Sequence, residues 1–455
     1  MLTAEQNDRL ARVGPGTPGG ELMRRYWHPI AAVPQMKDRG TKPITILGEE
    51  MVLYKDQSGA YGLVAPFCPH RRMGMVYGIP EEHGIRCPYH GWLYDETGRC
   101  MEQPYEETEN PGSRFKDKVV IKSYQLQVKA GLIFVYMGPQ PAPLLPNWDV
   151  FAIDDVIRDI GYTELPSNWL QCQENSLDPV HSEWLHGYWG NFIAVMQGHP
   201  DKQRRPYENE RIGFDEFEYG IIKRRMIKGG SEDDPEWLDG HPIVFPYFLR
   251  QGGHGYDRES WDDRNAYGVK GGVGPAFQIR VPLDDTHTGH WWVMCHPKSE
   301  NESEQRFEDI PFFQPPLIQL DETGRPRWDI LDSNSAQDVA AWITQGPIAD
   351  RTQEALGRSD RGLIMFRRML EENIRIVEDG GDPLNTFRDP AKNVYLGMAT
   401  ERGSARAKQA EARGGFNAFE RQGMASKYSP ILNKRGASGG ADAAQRRKQV
   451  GQEVK

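Results

Sequence analysis

The chain has 455 residues, 38% hydrophobic and 26% charged, with a formal net charge of -10. That length suits two or three domains with a sizeable core, and the acidic balance argues against a nucleic-acid binder, which needs a basic field to hold phosphates. No apolar run approaches the ~18 residues of a membrane span, and the start MLTAEQNDRL lacks the basic-then-apolar pattern of a signal peptide. Five cysteines, an odd count in a long chain, argue against a disulfide framework. A reducing cytoplasm is the expected compartment, with some of the cysteines free to bind metal.

In chain order, residues 1–27 read as a polar helical segment ending in the turn cluster GPGTPGG, expected to pack on the larger domain. From 28 onward, alternating runs such as PITILGEEMVLYKD and VKAGLIFVYMG, broken by glycines, predict a small all-β domain. The segment PQPAPLLPNWD, with four prolines, predicts a linker that closes this unit at 149. Residues 150–400 predict a second domain that mixes strands and helices. There GFDEFEYGIIKRRM and FQIRVPLDDTHTGHWWVMCHP read as strands, the second as a hairpin turning near Asp284 and Asp285. A helix follows with Ser359 or Asp360 at its start and Gly380 as its stop, and Leu363, Phe366, Leu370 and Ile374 mark its buried face. Residues 401–455, rich in Arg, Lys, Gly, Ala and Ser, predict a peripheral arm or tail.

Two constellations carry chemistry. Cys68-Pro-His70 is followed, after sixteen residues, by Cys87-Pro-Tyr-His90-Gly-Trp. A zinc finger groups two cysteines and then two histidines, whereas here each loop offers one of each. A Rieske [2Fe-2S] centre needs two cysteines on one iron and two histidines on the other, which this arrangement supplies. The second constellation is Asn175-Ser-Leu-Asp178-Pro-Val-His181-Ser-Glu-Trp-Leu-His186. On a helix with a local irregularity, two histidines five apart can face one centre. Two histidines and a carboxylate form the facial triad of non-haem Fe(II) oxygenases. The residues alone leave the carboxylate open among downstream acids such as Asp332 and Asp338. Asp178, three residues before His181, is placed to fix a ring tautomer.

The loop pair CPHRRMG and CPYHGW resembles the Rieske family, and the absence of an extra cysteine in each loop points to its oxygenase branch. RVGPGTPGGELMRRYWHPI and QGPIADRTQEALGRSDRG extend the resemblance to the phthalate-dioxygenase-like group of α subunits, which includes aromatic O-demethylases. The resemblance implies an α+β chain: an all-β Rieske iron–sulfur domain joined to a helix-grip (START/Bet v1-like) catalytic domain with an antiparallel sheet and helices. It implies Cys68, His70, Cys87 and His90 as cluster ligands and His181, His186 and Asp338 as ligands of a mononuclear Fe(II). Asn175 and Asp178 become catalytic-site residues, with Asp178 bridging to a cluster histidine of a neighbouring subunit in a trimer or stacked trimers. Arg71-Arg72-Met73 departs from the family's more usual Arg-Gly step.

The expected reaction uses O2 and electrons from NAD(P)H, delivered by a ferredoxin, a flavin reductase or both. No GxGxxG stands in a strand-turn-helix context, so the reductase is expected on another polypeptide. The expected outcome is O-demethylation of a lignin-derived methoxylated aromatic acid, with cis-dihydroxylation of an aromatic carboxylate as the alternative. A Rieske electron carrier and a zinc-stabilised binding protein are the rival classes. For the substrate's acid group, Arg204, Arg205, Arg250 and Arg280 are candidates, because a planar guanidinium binds a carboxylate at two points. Arg205, Arg250 and His254 are the choice from sequence. His287, His290 and His296 are further donors, and Trp184, Tyr188, Trp189 and Phe248 are candidate walls. Cys100, Cys172 and Cys295 read as buried small residues.

Overall fold

The computed structural model describes residues 1–37, 40–154, 156–203, 206, 208–251, 275–298, 302–398 and 428–431. Among the described residues two β units stand side by side. The first holds a six-stranded sheet, in spatial order Trp27–Ala32, Leu132–Tyr136, Ser123–Lys129, Tyr61–Val64, Glu49–Lys55 and Thr41–Ile46. A small four-stranded sheet, Ile79–Pro80, Ile85–Arg86, Leu93–Tyr94 and Cys100–Glu102, stands at its end with a separate core that includes Cys68, Cys87, Trp92 and Tyr94.

The second unit is an eight-stranded sheet: Asn209–Phe217, Gly220–Ile227, His241–Val244, Phe248–Gln251, Ala276–Pro282, Thr288–Pro297, Val156–Leu165 and Phe312–Phe313. Its pairs are antiparallel except the last. The hairpin turn at 283–287 is shaped by Asp284, whose Oδ1 accepts from the Thr286 and His287 N–H groups at 2.7 and 2.8 Å, while Asp285 accepts from Val13 and Gly14 and so pins the N-terminal segment. One face of this sheet packs on the first unit. Phe248 and Phe277 meet Phe151, and Phe151 meets Phe134, all edge to face. The other face is covered by the helices Trp169–Ser176 and Asn334–Thr344, with Trp292, Cys172, Ala336, Val339 and Trp342 in one cluster. The long helix Arg361–Glu378 buries Phe366, Leu370 and Ile374, half-buries Leu363, and is followed by Gly380 at a φ of 81°. None of the described helices is long and apolar enough to cross a membrane.

Glu174 ties these pieces together. It lies 2.7 Å from both Arg351 and Arg367, and Arg351 donates on to Asn7 at 3.0 Å. Burial pushes the Glu174 carboxyl up, but the two guanidiniums outweigh it and hold it below the ordinary carboxylate range. A carboxyl whose folded pKa is depressed stabilises the fold above its unfolded pKa and loses that contribution as pH falls through the folded value. Removing one partner of a buried charge cluster leaves the others uncompensated, so Glu174→Gln is expected to lower stability by about 3–5 kcal/mol at pH 7. Denaturant unfolding at pH 7 measures this, and the gap to the wild type should narrow in acid.

Candidate metal centres and pocket

The two cluster-type loops have the same build. In the first, the Cys68 N–H donates to the Met73 carbonyl at 2.8 Å and Arg72 has a φ of 62°; in the second, the Cys87 N–H donates to the Trp92 carbonyl at 2.8 Å and Gly91 has a φ of 74°. Each turn thus needs a left-handed residue four positions after its cysteine, a conformation glycine takes freely and arginine takes at a cost. Both cysteines are buried, and the His70 and His90 rings stand 4.5 Å apart at the loop tips. Trp92 stacks on His70 at 4.2 Å and 7°, fixing that ring. Tyr94 Oη lies 3.3 Å from Cys68 Sγ. Burial pushes the Cys87 thiol up, with Cys68 beside it adding to the rise, while the Tyr89 and His90 N–H groups aimed at its sulfur oppose it. His70 Nδ1 is buried without a hydrogen-bond partner. Two adjacent sulfurs, two adjacent rings and an orphaned ring nitrogen fit a [2Fe-2S] cluster with mixed ligation.

The second site is built where three elements meet. Asn168 caps the Trp169–Ser176 helix, accepting from the Leu170 N–H at 3.0 Å. The chain then turns at Asp178, whose carboxylate accepts from Val180 N–H at 2.7 Å and His181 N–H at 3.2 Å. A π-helical turn at Trp184–Trp189 follows, the irregularity that the five-residue spacing demands. His186 Nε2 lies 3.3 Å and His181 Nε2 3.8 Å from the same oxygen of Asp338. Separations of this size fit one ion about 2.1 Å from each donor. Among the described residues, His181, His186 and Asp338 are the group whose ligand atoms converge in this way. Burial pushes the Asp338 carboxyl up, yet His186, His181 and Arg280 together hold it below its ordinary range, which keeps it in the form a metal takes.

The supporting contacts were only partly foreseen. Asn175 Nδ2 donates to Asp338 Oδ1 at 3.4 Å. Gln337 was missed: its Oε1 lies 2.9 Å from His186 Nδ1, and its Nε2 donates to the Leu331 carbonyl at 3.1 Å. With the amide held from behind, the His186 proton is kept on Nδ1 and the Nε2 lone pair is left facing Asp338. Only a Gln next to the ligand Asp at a helix start signals this in the sequence. Asp332 is buried outside the converging group.

The pocket expectations need correction. Arg250 faces away from the helices that carry the histidines. It pairs in register with Phe277 on the face that packs on Phe151, and its fully buried guanidinium lies 2.9 Å from Asp149, itself fully buried. Phe248 shares that face. Trp184 and Tyr188 are 59% and 43% exposed and stack on each other at the surface, and Trp189 packs on Trp328. His287 is bound to Asp284 in the turn. Arg204, Arg205 and His254 lie outside the described residues. Strand alternation puts a different set on the helix-covered face: Gln278 and Arg280 beside Trp292 and His290, with His296 held 3.1 Å from Asp159. Cys100, Cys172 and Cys295 are all buried, as expected.

A Rieske [2Fe-2S] domain model matches residues 26–125, and a model described as LigXa C-terminal domain like matches 329–398. The chain is 41% identical to the 5,5'-dehydrodivanillate O-demethylase oxygenase subunit of Sphingobium sp., over 88% of this chain and 87% of that one. It is 29% identical to the phthalate 4,5-dioxygenase oxygenase subunit of Pseudomonas putida, over 85% and 89%. The chain belongs to the Rieske non-haem iron oxygenase α subunits. Within that family it falls in the phthalate-dioxygenase-like group. Its fold is also that of the solved Pseudomonas putida CBB5 NdmA with caffeine, at a TM-score of 0.55 and 16% identity over 83% of this chain and 97% of that one. A Rieske oxygenase of this kind is the oxygenase component of a multicomponent enzyme, with a [2Fe-2S] cluster and a mononuclear non-haem iron as cofactors and electron-transfer proteins as partners.

Two substitutions test the local readings. Gln337→Ala is expected to weaken mononuclear iron binding 10- to 100-fold, on the order seen when a ligand's supporting contact is lost; iron per chain, at unchanged visible absorbance of the cluster, measures it. Arg72→Gly is expected to leave that absorbance intact and to raise stability by up to about 1 kcal/mol, read by thermal unfolding.

Proposed function

We propose that this oxygenase O-demethylates a methoxylated aromatic acid of lignin origin, with Cys68, His70, Cys87 and His90 holding the cluster and His181, His186 and Asp338 holding the iron. The convergence of His181 and His186 on Asp338, beneath the polar face of the sheet, carries the oxygenase reading. The 41% identity to a demethylase subunit supports demethylation. When bound, the two groups supply single electrons and the reductive activation of O2. The overall balance is Ar–OCH3 + O2 + NAD(P)H + H⁺ giving Ar–OH, formaldehyde, water and NAD(P)⁺. Gln337 holds His186, Asn175 holds Asp338, and the sheet face receives the substrate.

Asp178 is proposed as the bridge to a neighbouring subunit's cluster. Its carboxylate caps the His181 turn on one side and is 34% exposed on the other. A head-to-tail trimer is supported by two exposed aromatic patches. Exposed Tyr89 and Phe115 lie against the cluster loops, and Trp184, Tyr188, Phe192 and Trp328 stand beside the iron helix. The residues that accept electrons from a ferredoxin or flavin reductase belong to the first patch in this arrangement.

Iron analysis and product analysis decide the function. The wild type is expected to hold three irons per chain and Asp338→Ala two, with the visible spectrum of the cluster kept and oxygen uptake lost. Formaldehyde equimolar with a new phenol supports demethylation. A diol without formaldehyde supports the dihydroxylation alternative, which the likeness to phthalate 4,5-dioxygenase favours. Two irons in the wild type would leave only an electron carrier.

A further inference from the structure

Among the described residues, three arginines are less than 2% exposed: Arg250, Arg351 and Arg280. The first two are matched. Arg250 meets Asp149 at 2.9 Å and Arg351 meets Glu174 at 2.7 Å. Arg280, 1% exposed, makes no ion pair among the described residues, although Asp338 is near enough to act on its charge. Its Nη2 donates to Gln278 Oε1 at 2.9 Å, while Nε and Nη1 have no partner among the described residues. A buried cation with open donors on both edges of its fork is costly unless an anion completes it. Burial pushes this guanidinium down to about 10, so it keeps its charge at neutral pH.

Its surroundings point the same way. His290 stands directly across the strand pair, 1% exposed, with neither ring nitrogen bonded and its ring stacked on Trp292 at 3.9 Å. The indole N–H groups of Trp292 and Trp342 are also unpartnered. Arg280 lies 5.9 Å from the Trp342 ring. Trp342 and Asp338 are one turn apart on the same helix, so they share a face about 6 Å apart. That is close to the reach of one benzene ring.

We propose that Arg280, with His290 beside it, binds the carboxylate of the aromatic acid and so holds the opposite edge of the ring towards Asp338. Arg280 is then a specificity-determining residue. The inference rests on the demethylase reading for its substrate class, not for the site itself. A neutral analogue leaves the guanidinium unpaired, and a site that must bond a polar group rejects the analogue that lacks it.

The test uses the holoenzyme, with a methoxybenzoate and its methyl ester as probes and calorimetric titration beside turnover. The wild type is expected to bind the acid on the order of 100-fold more tightly than the ester. Arg280→Gln is expected to lose that preference by weakening the acid alone, with iron per chain and cluster absorbance unchanged. Arg280→Lys keeps the charge without the fork and is expected to fall between. Equal affinity of the wild type for acid and ester overturns the proposal, and this arm needs no variant. Loss of acid and ester binding together in both variants also overturns it, because Arg280 would then support the fold or balance Asp338. The two readings fail separately. Acid preference without formaldehyde sinks the demethylase and leaves the anchor, while formaldehyde from acid and ester alike does the reverse.

Discussion

The structure depends on one local constraint, the π-helical turn between His181 and His186. On a regular α-helix a five-residue step turns through about 500°, which leaves the two side chains about 140° apart. A wider turn returns them to one side, and the rings here come to 5.1 Å. Such a turn is not favoured by itself, so its ends are held. Asp178 holds the backbone just before it at Val180 and His181, Gln337 fixes His186 from the neighbouring helix, and Asn175 donates to Asp338. Glu174, next to Asn175, is locked by two buried arginines that reach the N-terminal segment and the long C-terminal helix. The convergence of His181, His186 and Asp338 is therefore set by contacts from separated stretches of chain. A triad on rigid elements can hold its donors in place before any ligand arrives.

The second constraint is the alternation of the eight-stranded sheet. Neighbouring residues of one strand serve opposite purposes. Phe277 and Ile279 pack on the first unit and Gln278 and Arg280 face the helices; Trp291 and Val293 do the former and His290 and Trp292 the latter. The sheet is a wall with an apolar side that packs on the first unit and a polar side that is turned to the helices. A single-residue slip would exchange the two, and the long, unshifted register between Ala276–Pro282 and Thr288–Pro297 prevents it.

Much of this was readable in the chain. Cys68, His70, Cys87 and His90 stand within short loops whose geometry is local, so their spacing is enough to suggest a shared centre. His181 and His186 lie on one helix, and the spacing itself required the irregular turn. Asp338 lies more than 150 residues away and came through resemblance; its convergence on the histidines is a fact of tertiary packing. The pocket was misread for a specific reason. Arg250 follows an apolar run, IVFPYFL, and an arginine beside such a run reads as a pocket wall. The sequence does not say which side of the sheet is which, and Asp149, its counter-ion, is 101 residues away. Trp184 and Tyr188 were placed in the pocket because they flank the histidines, but on a helix the residues beside a ligand point elsewhere.

Arg72 shows how far a departure from the family's pattern alters the structure. A left-handed residue other than glycine costs about 1–2 kcal/mol. The Arg72 guanidinium lies over the exposed Phe67 ring at 4.8 Å, and an exposed cation–π contact returns about 0.5–1 kcal/mol. The two nearly offset each other, so the loop closes at Met73 with the same hydrogen bond that its glycine-bearing counterpart makes at Trp92. The substitution moves a charged side chain on the surface and leaves the Cys68 turn with the same closing hydrogen bond. Ligation is governed by the closing bond and the left-handed turn, and any residue that adopts that turn satisfies it.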